Sequence, residues 1–303
     1  MIPRVSVLMT IYNPGRFLKP AVDSLLGQTF SDFELIALEN GSNDGAKDTM
    51  RDYAASDARI RLIDLPDNIG RTPALNRAFV EARGEYVAVL DADDLAMPER
   101  LARQVEYLER NPTVVLLGSH VRYIDEQNNV IGSYEPPTRR QELRDQFTVL
   151  NPVQHSSAMF RRKEAADIGG YPPEYAFAQD FALWLSLAEH GEVAILNEKL
   201  VEIREHTARA TLSPEFSLVR FRDSLDLFRR AEQLSGLSPT ALGHGRTNRA
   251  ALRYVFAGEL RRARQPFSAF YQLVRSVVDA PIFCLRRARV KINRLGLFGN
   301  SSS

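Results

Sequence analysis

Three carboxylates fall within four positions where an apolar run ends: Tyr86, Val87, Ala88, Val89 and Leu90 lead directly into Asp91, Ala92, Asp93 and Asp94. Like charges this close repel, and burying them unpaired is costly, so packing alone gives no reason for such an ending. A divalent cation removes the repulsion. Carboxylate oxygens suit hard ions such as Mg²⁺ or Mn²⁺, and such ions commonly arrive with a phosphate. The competing reading is a polar turn in which Asp94 caps the next helix. A second acidic segment, Glu39–Asn40–Gly41–Ser42–Asn43–Asp44, also follows an apolar run, and its glycine permits close backbone approach or a positive φ.

These groups need a scaffold, and the first 120 residues read as one. Strand-like runs at Val5–Met9, Phe33–Leu38, Ile60–Leu65, Tyr86–Leu90 and Thr113–Leu117 alternate with helical spacing. Leu18, Val22, Leu25 and Leu26 share one helical face, as do Ala46, Met50, Tyr53 and Ala54. Thr72-Pro73 reads as a helix start with a capping hydroxyl, leading to buried Leu75, Ala78, Phe79 and Ala82 before Gly84 stops the helix. Pro98 opens a further helix. Repeated β-α-β units predict an α/β fold, a mostly parallel sheet with helices on both faces. Ligands then sit beyond the carboxyl ends of the strands, where Glu39, Asp91 and Asp93 fall, Glu39 just after its strand.

The pattern changes near Val121. Val121–Ile124 and Val130–Tyr134 read as a hairpin, Glu142–Phe147 as a short helix, and Ser157–Phe160 as a strand. A helix starts near Asp180, two short strands follow at Val193–Leu196 and Lys199–Ile203, and the remainder is helical and arginine-rich to about Leu295. The expected division is an α/β domain over 1–206 in two parts, 1–118 and 119–206, then a helical, basic extension over 207–303.

Composition narrows the class. With 303 residues, 44% hydrophobic, 25% charged and a net charge of +1, the chain is ordinary for a globular protein and carries no global field for nucleic acid. Its single cysteine, Cys284, excludes an intramolecular disulfide and any multi-cysteine metal site, and suits a reducing cytosol. No stretch approaches the ~18 unbroken apolar residues of a membrane span. A cytoplasmic protein, soluble or touching only the inner face of the membrane, is expected. The surface segment would be the tail, where Arg286, Arg287, Arg289, Lys291 and Arg294 interleave with Phe283, Leu285, Val290, Ile292 and Leu295. A solvated helix or tail is the competing reading.

Taken in order, the motifs resemble family 2 glycosyltransferases of the GT-A (Rossmann-like) fold. Val5–Asn13 is similar to the family's opening strand ending in Tyr-Asn; Glu39–Asp44 stands where the family has Asp-Asp-Gly-Ser-x-Asp. Asn68–Ile69–Gly70, Leu75–Asn76 and Gly84–Glu85–Tyr86 resemble the approach to the family's DxD, and Asp91–Asp94 the DxD itself. Asn151–Pro152, His155, Phe160–Arg161–Arg162 and Gly169–Gly170–Tyr171 are similar to its acceptor-side segment. Gln179–Asp180 before Leu183–Trp184–Leu185 replaces the family's Glu-Asp. A second departure is Glu39–Asn40 in place of two aspartates.

The resemblance implies a division of roles. Thr10, Tyr12, Glu39 and Arg71 would line the nucleotide pocket. Asp91 would meet the ribose and the metal shell, Asp93 would bind the metal at the diphosphate, and His206 would lie near that metal. His155 would face the acceptor, and Asp180 would be the general base. The implied partners are a UDP- or dTDP-sugar donor and a hydroxyl of a glycan or lipid-linked acceptor in bacterial surface polysaccharide synthesis, with Mn²⁺ or Mg²⁺ as cofactor. Two readings compete: a sugar nucleotidyltransferase, which would want a glycine-rich basic loop where Tyr12–Asn13–Pro14–Gly15–Arg16 stands, and a non-catalytic glycan- or nucleotide-sugar-binding protein of the same fold.

Overall fold

The computed structural model describes residues 2–176, 178–206, 217–262 and 264–280. Two compact units emerge, Met1–Arg144 with Asn151–Leu212, and Asp145–Leu150 with Ser213–Ser303. In the first unit, β1 (Val5–Ile11), β2 (Phe33–Asn40), β3 (Ile60–Leu65) and β4 (Tyr86–Val89) pair in parallel in the order β3-β2-β1-β4, as the β-α-β spacing predicts. Their connections are α1 (Leu18–Leu26), α2 (Ala46–Ser56) and α3 (Arg71–Val80). Val5, Val7, Met9 and Ile11 alternate onto one face and share a buried cluster with Leu18, Val22 and Leu25 of α1 and Leu101, Val105 and Leu108 of α4 (Arg100–Arg110). Leu8, Ile36 and Leu38 are equally buried but lie outside that cluster, on the opposite face.

The sheet is mixed beyond β4. The next strand is β8 (Met159–Arg161), antiparallel to both β4 and β6 (Val114–Ile124). Then β6 runs parallel to β9 (Glu192–Arg204), and the short β5 (Leu95–Ala96) closes the order against β9. An off-path hairpin strand, β7 (Val130–Tyr134), pairs with β6. Two pairs of expected strands are in fact single strands: Thr113–Leu117 and Val121–Ile124 merge into β6, and Val193–Leu196 and Lys199–Ile203 into β9. Register shifts between Ser119 and Val121 let both bend and stay paired, so polar residues that read as breaks lie inside a strand.

Other boundaries moved for local reasons. α3 begins after Gly70, not at Thr72, because the Thr72 hydroxyl donates to Tyr175 O at 2.8 Å instead of capping. β2 extends through Asn40, which puts Glu39 inside the strand. The pair β5 and the short helix α6 (Arg162–Asp167) had no periodicity long enough to reveal them. Completing this unit, α7 (Gln179–His190) buries Trp184 fully, its indole N–H donating to Val153 O, while α5 (Arg140–Gln146) leads out of it.

The second unit contains α8 (Ser217–Ala231), α9 (Pro239–Arg262) and α10 (Pro266–Asp279), with Leu225, Phe256, Ala257, Leu260 and Ala269 as its small core. The expected basic amphipathic tail lies outside the described residues from position 281 onward.

A buried polar knot closes the amino end of the parallel sheet. The Ser6 hydroxyl donates to Glu34 at 2.7 Å and accepts the backbone N–H groups of Arg83 and Gly84, while the Arg83 and Arg61 guanidinium groups also reach Glu34. Burial alone would raise the Glu34 carboxyl, but the hydrogen bonds from Arg83, Ser6 and Arg61 outweigh it and hold it below its ordinary range. A lowered folded pKa means stability that is present above the unfolded value and lost as pH falls through the folded one. Glu34→Gln should therefore cost about 1–3 kcal/mol at neutral pH. In urea melts, that deficit should close as pH drops below about 4.3.

Candidate active site

At the carboxyl edge of the parallel strands the acidic turn is built by partners from distant elements. Asp94 is 4% exposed. One of its oxygens accepts the Ser156 hydroxyl and the other the Arg204 N–H at 2.9 Å, and Ser156 Oγ in turn accepts the Asp91 N–H at 3.1 Å. Asp94 is thus an anchor for the turn and does not cap the following helix, which starts later, at Arg100. Burial, then the charges of Asp93 and Asp91, raise the Asp94 carboxyl well above its usual range against these hydrogen bonds. Beneath it lies Arg100, fully buried, donating to the carbonyls of Val89 and Ala158. Burial lowers that guanidinium to about 9, with Asp94 opposing.

Arg204 is the second anchor. Its guanidinium donates to Asp93 O at 3.0 Å and Asp125 O at 2.8 Å and lies over the Phe17 ring. Ser156, Arg100 and Arg204 escaped the sequence reading, as did the anchoring role of Asp94. No local signal marks them, since Arg100 and Arg204 each stand among other charged residues in the chain.

The expected site residues separate into groups. Asp93 and His206 meet, with Nε2 2.9 Å from Oδ2 and the imidazole against Phe17. Asp91 faces elsewhere: both its oxygens accept Arg71 NH2 at 2.8 Å, and Oδ1 lies 3.0 Å from His155 Nδ1. His155 was expected toward the acceptor. It is 8% exposed, with Nε2 3.2 Å from the Tyr171 hydroxyl, so both ring nitrogens have partners. Asp180, in the first turn of α7, accepts Asn151 Nδ2 at 2.9 Å.

One guanidinium draws these acids together. Asp91, above all, raises the Arg71 pKa against the lowering effect of burial, and Asp180 and Asp93 add to the rise. Reciprocally, burial alone would raise the Asp91 carboxyl, but Arg71 and His155 overcome this and hold it far below the ordinary range. Three carboxylates from β4's exit and α7's start therefore share the field of one cation. Among the described residues, no three His, Cys, Asp or Glu side chains form a cluster able to hold a metal ion. Asp93 and His206 pair with each other, and among the described residues no guanidinium hydrogen-bonds to either side chain.

The nucleoside-side residues sit at adjacent strand ends. Ile11 of β1 is in register with Glu39 of β2, and Thr10 with Leu38. Tyr12 is half exposed just beyond β1. Glu39 is fully buried, its oxygens accepting the N–H groups of Gly41 and Ser42. Asn40 accepts the Ile69 N–H and donates to Asn68, and the Asn43 N–H donates to Asn13, so three loops form one wall.

With this geometry in view, the comparisons are specific. The sequence matches the family described as Glycosyl transferase family 2 over residues 6–169. An uncharacterized glycosyltransferase of Methanocaldococcus jannaschii is 35% identical over 206 residues, covering 67% of this chain and 71% of that protein. The putative teichuronic acid biosynthesis glycosyltransferase TuaG of Bacillus subtilis is 32% identical over 206 residues, covering 67% and 79%. S. aureus TarS in complex with UDP-GlcNAc superposes with a TM-score of 0.69 over 97% of this chain and 92% of that one, at 16% identity. The mannosyltransferase PcManGT from Pyrobaculum calidifontis, in complex with GDP-Man and Mn²⁺, gives 0.60 over 99% and 82%, at 20% identity. The fold is that of GT-A glycosyltransferases. The chain belongs to glycosyl transferase family 2 and is a glycosyltransferase, which sets aside the nucleotidyltransferase and non-catalytic readings.

Gly41 tests how tightly the wall is built. Its φ is +78°, and a Cβ there would lie 2.6 Å from the Asn68 backbone nitrogen. Gly41→Ala must push the 67–70 segment away, and should lower stability by about 1–3 kcal/mol. Unchanged thermal melting would show that the wall yields freely.

Proposed function

We propose that the chain is an inverting, metal-dependent transferase that moves a sugar from a UDP- or dTDP-linked donor to a hydroxyl of a glycan or lipid-linked acceptor. The observation that carries this reading is the gathering of Asp91, Asp93 and Asp180 around Arg71, with His206 on Asp93. Support for the donor class comes from the nucleotide sugars named with TarS and PcManGT, and support for a bacterial surface polysaccharide setting from the name of TuaG.

A carboxylate oxygen and an imidazole nitrogen are a donor pair that suits Mn²⁺ and tolerates Mg²⁺. Asp93 and His206 would hold the ion, and diphosphate oxygens would add to its shell. When bound, the ion stabilises the negative charge of the departing nucleoside diphosphate. Arg71, resting on Asp91, adds a second cation beside the same charge. Asp91 is kept ionised and oriented by Arg71, His155 and the Ser156 link, ready to accept from ribose hydroxyls. Thr10, Tyr12 and the Glu39 wall would bound the nucleoside.

Asp180 would take the proton from the acceptor hydroxyl as its oxygen attacks the anomeric carbon. The bond from that carbon to the diphosphate breaks on the opposite side, so configuration inverts. Asn151 holds one Asp180 oxygen, leaving the other for the acceptor. His155 supports Asp91 in this scheme and makes no acceptor contact.

Asp180→Asn should reduce transfer by about 10²–10⁴-fold. Its affinity for the nucleotide in Mn²⁺ should stay within about twofold of the native value. Asp93→Ala should weaken that affinity by about tenfold or more. Calorimetric titration with UDP and dTDP, beside product assays over a panel of donor sugars, separates the two. Equal loss of nucleotide affinity in both variants would contradict this assignment of roles.

A further inference from the structure

α10 is amphipathic in the reverse sense. Its polar residues point inward: Asp279 accepts Arg253 Nε at 2.7 Å and Arg249 at 3.3 Å, Gln272 accepts Arg253 NH1 at 2.7 Å, and the Ser276 hydroxyl donates to Ala250 O. Its apolar residues point to solvent. Phe270, Tyr271, Leu273, Val274, Val277 and Val278 are 40–69% exposed. At 3.6 residues per turn these six fill one arc of about 160°, with the inward residues filling the other. Buried ion pairs are costly to break, so the helix cannot roll over to hide this face. No described helix is long and apolar enough to cross a membrane, which leaves a surface role for the arc.

Charge identifies the occupant. Residues 213–303 hold sixteen arginines and lysines against six acidic residues, a formal +10, so the preceding 212 residues stand at −9 and the chain's +1 conceals two opposed halves. Arg261, Arg262 and Arg264 are exposed immediately before α10. In the sequence after Asp279 there are five further basic residues and no acidic one. Two copies of so basic a unit repel each other, and nucleic acid offers its phosphates but nothing to cover Val274 or Val278. An anionic bilayer presents negative headgroups above an apolar layer, and so matches both features.

We propose that the outward face of α10, with the exposed arginines Arg261, Arg262 and Arg264 that precede it, is a docking surface for an anionic lipid bilayer. The test is flotation of the full chain with vesicles. Native protein should float with vesicles of about three parts phosphatidylglycerol to seven of phosphatidylcholine, and not with phosphatidylcholine alone. Salt at about 0.5 M should lower the bound fraction about tenfold. The pair Val274→Glu and Val278→Glu should lower the partition coefficient by about tenfold or more, with unchanged circular dichroism and unchanged hydrolysis of a soluble donor. Phe270→Ala, which adds no charge, should lower it by about threefold to tenfold. Four results overturn the proposal: no native binding, binding equal on neutral vesicles, binding unaffected by these variants, or sedimentation showing a dimer that V274E with V278E dissolves.

Discussion

Asp91, Asp93, Asp94 and Asp180 crowd one margin of the sheet, and the free energy of their mutual repulsion must be met locally for the edge to stay folded. The structure meets it with a different device for each. Asp91 receives a guanidinium on both oxygens, Asp94 is buried between a hydroxyl and a backbone N–H, Asp93 lies against an imidazole, and Asp180 accepts an amide. Of these, the Arg71–Asp91 pair governs the rest, because Arg71 also lies in the fields of Asp93 and Asp180. Charge is thereby stored at the site in ionised form before any ligand arrives.

The sheet topology explains why this store is rigid. Inserting β8 antiparallel beside β4 brings the residues before β8 back to the exit of β4, so that Val89 donates to Ala158 O and Asp91 to Ser156 Oγ. The parallel pairing of β6 and β9 carries Arg204 to the same point, where it clasps the carbonyls of Asp93 and Asp125. Asp91 and Asp93 thus hang from a turn fastened on three sides.

The second unit follows another logic. Its core is small, and its helices are held as much by ion pairs as by apolar contact, with Arg249 bridging Glu232 and Asp279. The formal charges of the two parts are opposite.

Much of this was written locally. Alternation and helical spacing set the order of strands and helices through β4, and the acidic ends of apolar runs marked where chemistry sits, because a strand's exit depends on neighbours in the chain. Asp93, Asp91 and Asp180 were legible as residues with chemical potential, and the order of motifs carried the family. Of their partners only His206, 113 residues from Asp93, was expected beside it, and that expectation came from the family resemblance. Arg204 is 110 residues from Asp94 and Ser156 is 62 from Asp94, and no local pattern encodes pairings at that range. Nor could periodicity show which side of α10 faces inward, since a stripe of valine and phenylalanine ordinarily marks the buried face. Only the tertiary structure decided that, because burial is set by what an element packs against, and here the Arg253 and Arg249 side chains claimed the polar side first.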